Sequence, residues 1–154
     1  MEIFLFILRE VMALNFMVTA DQSVQDNKWW KDIFRIYAKP GEYFEIHCWQ
    51  DEKEAFRIAE KYGETACYTM PDLKIIHGTV TEHLISYILS ERKPSDNSCY
   101  NKMLPFYTFR IGSNFSSEKY GTEIILKCRS SYESELLERK RLGDVTGLTM
   151  YRNK

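Results

Sequence analysis

A chain of 154 residues, 44% apolar and 28% charged, is long enough to bury a real core and reads as one globular domain over residues 1–154. Its formal net charge of −1 is unevenly placed, with 11 basic and 16 acidic side chains in residues 1–100 and 10 basic and 6 acidic in residues 101–154. The two parts are expected to attract one another, and the balance leaves no broad positive field for non-specific nucleic-acid binding.

The first apolar run, residues 3–8, follows an acid and precedes Arg9 and Glu10. It lacks the basic start and the length of a signal peptide and is too short to cross a bilayer, so a soluble cytoplasmic protein with no membrane partner is expected. A start of translation at Met12 or Met17 would remove it. Residues 3–11 suit either a strand or a short helix, and Leu14, Phe16 and Val18 alternate as in a strand. A polar loop, 21–28, leads to Trp29 and Trp30, which diverge in an extended backbone, one to the core and one to its rim. Residues 33–38, the turn Lys39-Pro40-Gly41-Glu42 and residues 43–49 predict a hairpin, since Pro and Gly at the central positions suit a type II turn. Both strands are apolar on both faces, so alternation does not set their register.

Asp51 and Glu54 form a capping-box-like start to a helix with Ala55, Phe56, Ala59 and Tyr62 on one face and Gly63 as a left-handed cap. Short strands are expected at 65–68 and 73–77. A second helix opens at 79–82 with Val80, Leu84, Tyr87 and Ile88 on one side, and it must end before Pro94. Residues 94–102 read as a linker-like loop. An aromatic strand at 104–111, a Ser-rich connection at 112–121, a strand at 122–128 and a helix at 131–142 follow, and the tail at 145–154 either adds an edge strand or frays. The layout is α+β, an antiparallel or mixed sheet with about three helices on one face.

Two segments eighty positions apart share an order of elements: a strand ending in Cys48, a helix from Asp51 and then Gly63, against a strand ending in Cys128, a helix from Ser131 and then Gly143. Either the chain holds two strand-strand-helix half-modules joined by the 94–102 loop, or the order is simply what capped helices after strands produce.

No phosphate loop, nucleophile elbow or defensible pair of acids occurs, so no catalytic residue is assigned and no cofactor is implied. His47, His77 and His83 lack metal-site spacing, and without a CxxC pair the four cysteines read as reduced thiols. Cys48 shares a strand face with Phe44 and Ile46 and is expected in the core rather than as a nucleophile, and Cys128 is expected to match it. Cys99 falls in the expected linker. The candidate binding residues are Arg35 and Tyr37 on one expected strand, Tyr43, Glu45, His47 and Trp49 on the next, and Arg110 beyond them. Polar heads and aromatic bodies on one sheet face are what a docked partner uses. The expected function is therefore a non-enzymatic binding module holding a protein partner, of the immunity or adaptor type. The alternative is a small-ligand domain or enzyme whose pocket is lined by Glu45, His47, Arg35 and Arg110.

Overall fold

The computed structural model describes residues 15–67, 70–96 and 98–152. The segment 3–11 and Tyr68, the expected end of a short strand, lie outside them. Eight strands form one open sheet: β1 (Asn15–Ala20), β2 (Tyr43–Trp49), β3 (Glu64–Thr65), β4 (Leu73–Thr79), β5 (Thr108–Ile111), β6 (Phe115–Glu118), β7 (Glu123–Lys127) and β8 (Leu148–Arg152). Their order is β3-β4-β2-β5-β6-β7-β1-β8, and every pairing is antiparallel. Four α-helices, one more than expected, are present among the described residues: α1 (Lys28–Tyr37), α2 (Lys53–Glu60), α3 (Glu82–Ser90) and α4 (Ser131–Arg139).

The extra helix is α1, and it replaces the first strand of the expected hairpin. Trp29, Trp30, Ile33, Phe34 and Tyr37 recur at helical spacing, and all five are buried. On a helix the two tryptophans share the apolar stripe, so neither is at a rim. Trp30 stacks on Phe34 at 5.4 Å and its indole nitrogen donates to Ser117 Oγ at 2.9 Å, which satisfies the one polar atom that burial would otherwise strand. The turn after it is as expected. Gly41 has φ +95°, and Glu42 N–H donates to the Lys39 carbonyl at 3.2 Å, but the turn joins a helix to β2 rather than two strands.

Register explains where the core sits. One row crosses the whole sheet as Thr65, Ile76, Ile46, Phe109, Ser117, Ile124, Val18 and Met150. Beside it lie Phe44, Ile111, Phe115, Leu126 and Phe16. Apart from exposed Thr65 at the β3 edge and polar Ser117, these sheet residues, with Met150 partly buried, form one cluster with the α1 stripe, Ala55 and Ala59 of α2, Leu84 and Ile88 of α3, and Leu137 of α4. Each large side chain so buried contributes about 1.5–3 kcal/mol.

The helix ends separate what local signals decide from what they do not. Thr81 Oγ1 accepts from Leu84 N–H at 3.2 Å and Ser130 Oγ from Glu133 N–H at 3.3 Å, so α3 and α4 have side-chain caps at their starts. The box expected at Asp51 is not made: Glu52 stands at the cap position of α2 without a side-chain cap bond, and its carboxylate accepts from Trp49 N–H at 3.2 Å. Gly63 is not left-handed. A Cβ there would stand 2.5 Å from the His77 carbonyl oxygen, so this position is glycine because β4 passes so close. Of the face expected on α2, Ala55 and Ala59 are buried while Phe56 and Tyr62 are only partly so, and in α4 Leu137 is buried while Leu136 is partly so.

Residues 112–121 contain β6 rather than a bare connection, and the expected strand at 104–111 is confined to β5. The first unit of the expected repeat is thus helix-strand-helix rather than strand-strand-helix. The return strands differ as well: β4 pairs directly with β2, whereas β8 pairs with β1 and not with β7. The loop at 94–102 is pinned by buried Asn101, whose amide donates to the Asp21 carbonyl at 2.9 Å and the Val24 carbonyl at 3.0 Å. The unequal charge of the two parts is used in pairs between them, Arg129 with Glu42 at 3.2 Å, Lys102 with Glu52 at 3.8 Å and Arg110 with Glu45 at 4.0 Å. No helix among the described residues is long and apolar enough to cross a membrane.

Candidate functional site

Alternation along β2 sends Phe44, Ile46 and Cys48 into the core and Tyr43, Glu45, His47 and Trp49 to the opposite face. Pairing sets Arg110 of β5 beside Glu45, and Thr108 beside His47. Five of the seven expected binding residues, Tyr43, Glu45, His47, Trp49 and Arg110, therefore share one face. Arg35 and Tyr37 do not, because they belong to α1. Arg35 is exposed and pairs with Asp32 at 3.2 Å, while Tyr37 is buried with its hydroxyl donating to the Lys127 carbonyl at 3.4 Å. A pocket lined jointly by Glu45, His47, Arg35 and Arg110 is accordingly not formed.

Two carboxylates organise the face. Glu45 meets His47 Nε2 at 2.5 Å and accepts from the Tyr43 hydroxyl at 3.3 Å, with Arg110 at 4.0 Å. Glu118 accepts from Thr108 Oγ1 and Ser116 Oγ, each at 2.7 Å, and from Arg110 through Nε at 3.1 Å and Nη2 at 2.9 Å. Burial alone would raise its pKa, but the bonds from Thr108, Ser116 and Arg110 outweigh that and hold the carboxyl below its usual range. Glu118 and Ser116 were not expected in the set. The signal for them was the alternation of Phe115 and Ser117 inward with Ser116 and Glu118 outward, in a stretch whose serines read as a loop.

One row of this face also crosses the entire sheet, as Glu64, His77, Glu45, Arg110, Ser116, Ile125, Met17 and Tyr151. It is charged at the β2 side and apolar at the β8 side, where Ile125 is 42% and Tyr151 56% exposed.

Chemically, the His47–Glu45 contact is the base-and-orienter half of a nucleophilic site. The Thr108 hydroxyl across from His47 is committed to Glu118, and Cys48 points into the core, where burial and then the charge of Glu52 push its thiol up to about 12. No group of three or more His, Cys, Asp or Glu able to hold a metal ion occurs among the described residues.

At the Trp49 end of β2 lies a cleft of about 830 Å³, walled by Trp49, Tyr100 and Tyr120 and rimmed by Asp51, Glu52, Asp72 and Asp96. Of the expected binding residues only Trp49 lines it. Comparison with family models, with curated proteins and with solved structures finds no match to this chain, so its functional reading rests on geometry.

Proposed function

We propose that the protein is a non-enzymatic binding module, of the immunity or adaptor kind, that holds a protein partner on the sheet face carrying Glu45, Arg110, Ile125 and Tyr151. The observation that carries this reading is the outer row itself, in which Arg110, hydrogen-bonded to Glu118 and 4.0 Å from Glu45, shares the row with exposed Ile125 and Tyr151. Trp30 and Phe34 of α1 pack on the other face, against Phe109, while Arg110, Ile125 and Tyr151 of this face are exposed. Aromatic and Arg anchors beside an apolar strip are the composition of an interface core, and prior pairing of Arg110 and Glu118 lowers the ordering cost of docking. A face on which no activated nucleophile stands among the described residues favours a partner over a substrate.

The test is native mass spectrometry of the protein purified from its own host, with Arg110→Ala and Ile125→Asp as face variants and Arg35→Ala as an off-face control. Added mass from a partner polypeptide should be present in the wild type and in Arg35→Ala, and absent from both face variants at unchanged melting temperature. A partner retained by the face variants places the interface elsewhere, and a retained small molecule in its stead refutes the reading.

A further inference from the structure

We propose that the cleft beside Trp49 seats lysine or arginine side chains presented by a basic segment of another polypeptide. The site shares only Trp49 with the open sheet face, so it stands or falls apart from the function proposed above.

Trp49, Tyr100 and Tyr120 of its wall are linked through ring contacts with Tyr107. Ring centroids are 4.9 Å apart for Trp49 and Tyr107, 5.3 Å for Tyr107 and Tyr120, and 5.4 Å for Tyr100 and Tyr120. Such a wall attracts cations through the ring quadrupoles. The chain already places a cation against it. Lys102 Nζ stands 4.3 Å from the centroid of Tyr120, 3.1 Å from Asp96 and 3.8 Å from Glu52. That single ammonium does not satisfy the rim, since Asp51 and Asp72 are exposed and neither has an ion-pair partner among the described residues. Burial, then Glu52 and Asp51, raise the Tyr120 pKa, so its ring stays a neutral phenol throughout the physiological range.

Size and spacing choose the occupant. A volume of about 830 Å³ is near the upper end of the roughly 300–1,000 Å³ typical of ligand clefts, far more than one ammonium needs. Carboxylates spread along an open rim match several basic residues in sequence better than one compact cation. Bare metal ions are disfavoured because these acids do not converge on a common point.

Fluorescence anisotropy on the full chain, using a labelled peptide of alternating arginine and glycine and an acidic peptide of equal length, tests the assignment. The basic peptide alone should bind, more weakly as salt rises from about 0.05 to about 0.5 M. The double variant Asp51→Asn, Asp72→Asn should weaken it about five- to tenfold and Tyr100→Leu about threefold. Lys102→Gln should tighten it about threefold, because the competing internal ammonium is gone; a merely structural role for Lys102 cannot produce a gain. Arg110→Ala, on the sheet face, should bind as wild type does. The inference is overturned by equal binding of the acidic peptide, by unchanged affinity in the rim variants, by weaker binding in Lys102→Gln, or by binding of spermine without the peptide. Thermal melts of each variant ensure that folded proteins are compared.

Discussion

The helical stripe of α1 makes a quantitative prediction through Phe34. Its ring is fully buried, stacked on Trp30 at 5.4 Å and 5.8 Å from Phe109. Phe34→Ala removes the transferred surface and leaves a cavity that rigid β5 and β6 cannot close, which costs about 3–5 kcal/mol. For a domain of this size each kcal/mol lowers the melting temperature by about 2–4 °C, so a loss near 4 kcal/mol corresponds to roughly 8–16 °C. Ile33→Ala, one residue earlier and also fully buried, should cost about 2–5 kcal/mol. Arg35→Ala removes only a surface pair with Asp32, worth about 0.3–0.5 kcal/mol. Denaturant unfolding of the three variants reads this directly. Comparable losses at 33 and 34 with none at 35 are the mark of a helix packed by one stripe. A cost at Arg35 equal to that at Phe34, or a loss below about 1 kcal/mol at Phe34, would refute the packing described here.

Gly63→Ala should destabilise by about 1–3 kcal/mol, whereas Gly143→Ala, whose added Cβ meets nothing within 4 Å, should be near neutral by the same thermal melt. Thiol titration of the native protein should label exposed Cys67 and Cys99 quickly and buried Cys48 and Cys128 slowly. The Glu118 carboxyl is depressed in the folded state, so its stabilisation is present above the ordinary carboxylate pKa and is lost as pH falls through the folded value; Glu118→Gln should flatten the acid limb of a stability-versus-pH curve. The Cys48 thiol is raised from 9.0 to about 12, so folding favours its protonated form and stability should fall as pH climbs above 9.0; Cys48→Ala should remove that part of the alkaline slope.

Local signals in the sequence succeeded at some helix ends and turns and failed at others, as with the box at Asp51 and the cap at Gly63. The expected helix openings at 79–82 and 131 and the Pro40-Gly41 turn all form, the two openings secured by caps from Thr81 and Ser130 that sequence reasoning did not name. The alternation Phe44, Ile46, Cys48 against Glu45, His47, Trp49 likewise separated the two faces of β2. The stretch 33–38 failed because Ile, Phe and Tyr satisfy both a strand and a helix of six residues, and only the extension back to Trp29 and Trp30 reveals the 3.6-residue period. Helix α2 shows a finer limit: Ala55 and Ala59 outrank Phe56 for the inward position because small residues let the helix approach the sheet, which hydrophobicity alone does not rank. The meeting of Glu45, Arg110 and Glu118 depends on pairings of β2 with β5 and β5 with β6, and no local pattern encodes those.

The place of β1 in the sheet has a consequence for how the chain reaches its fold. This strand lies between β7 and β8, so Phe16 is bonded into a ladder with Leu126 on one side and Arg152 on the other. On the ribosome, β2 and β4 can pair soon after both emerge, because only α2 and β3 separate them. Phe16 and Val18, by contrast, must wait until β7 and β8, far later in the sequence, have been made before their neighbours exist. Contacts this remote in sequence carry the largest loop-closure cost and slow folding. During that interval Phe16 and Val18 of β1 lack the ladder neighbours that cover them in the folded chain, which leaves them open to pairing with a strand of a second copy.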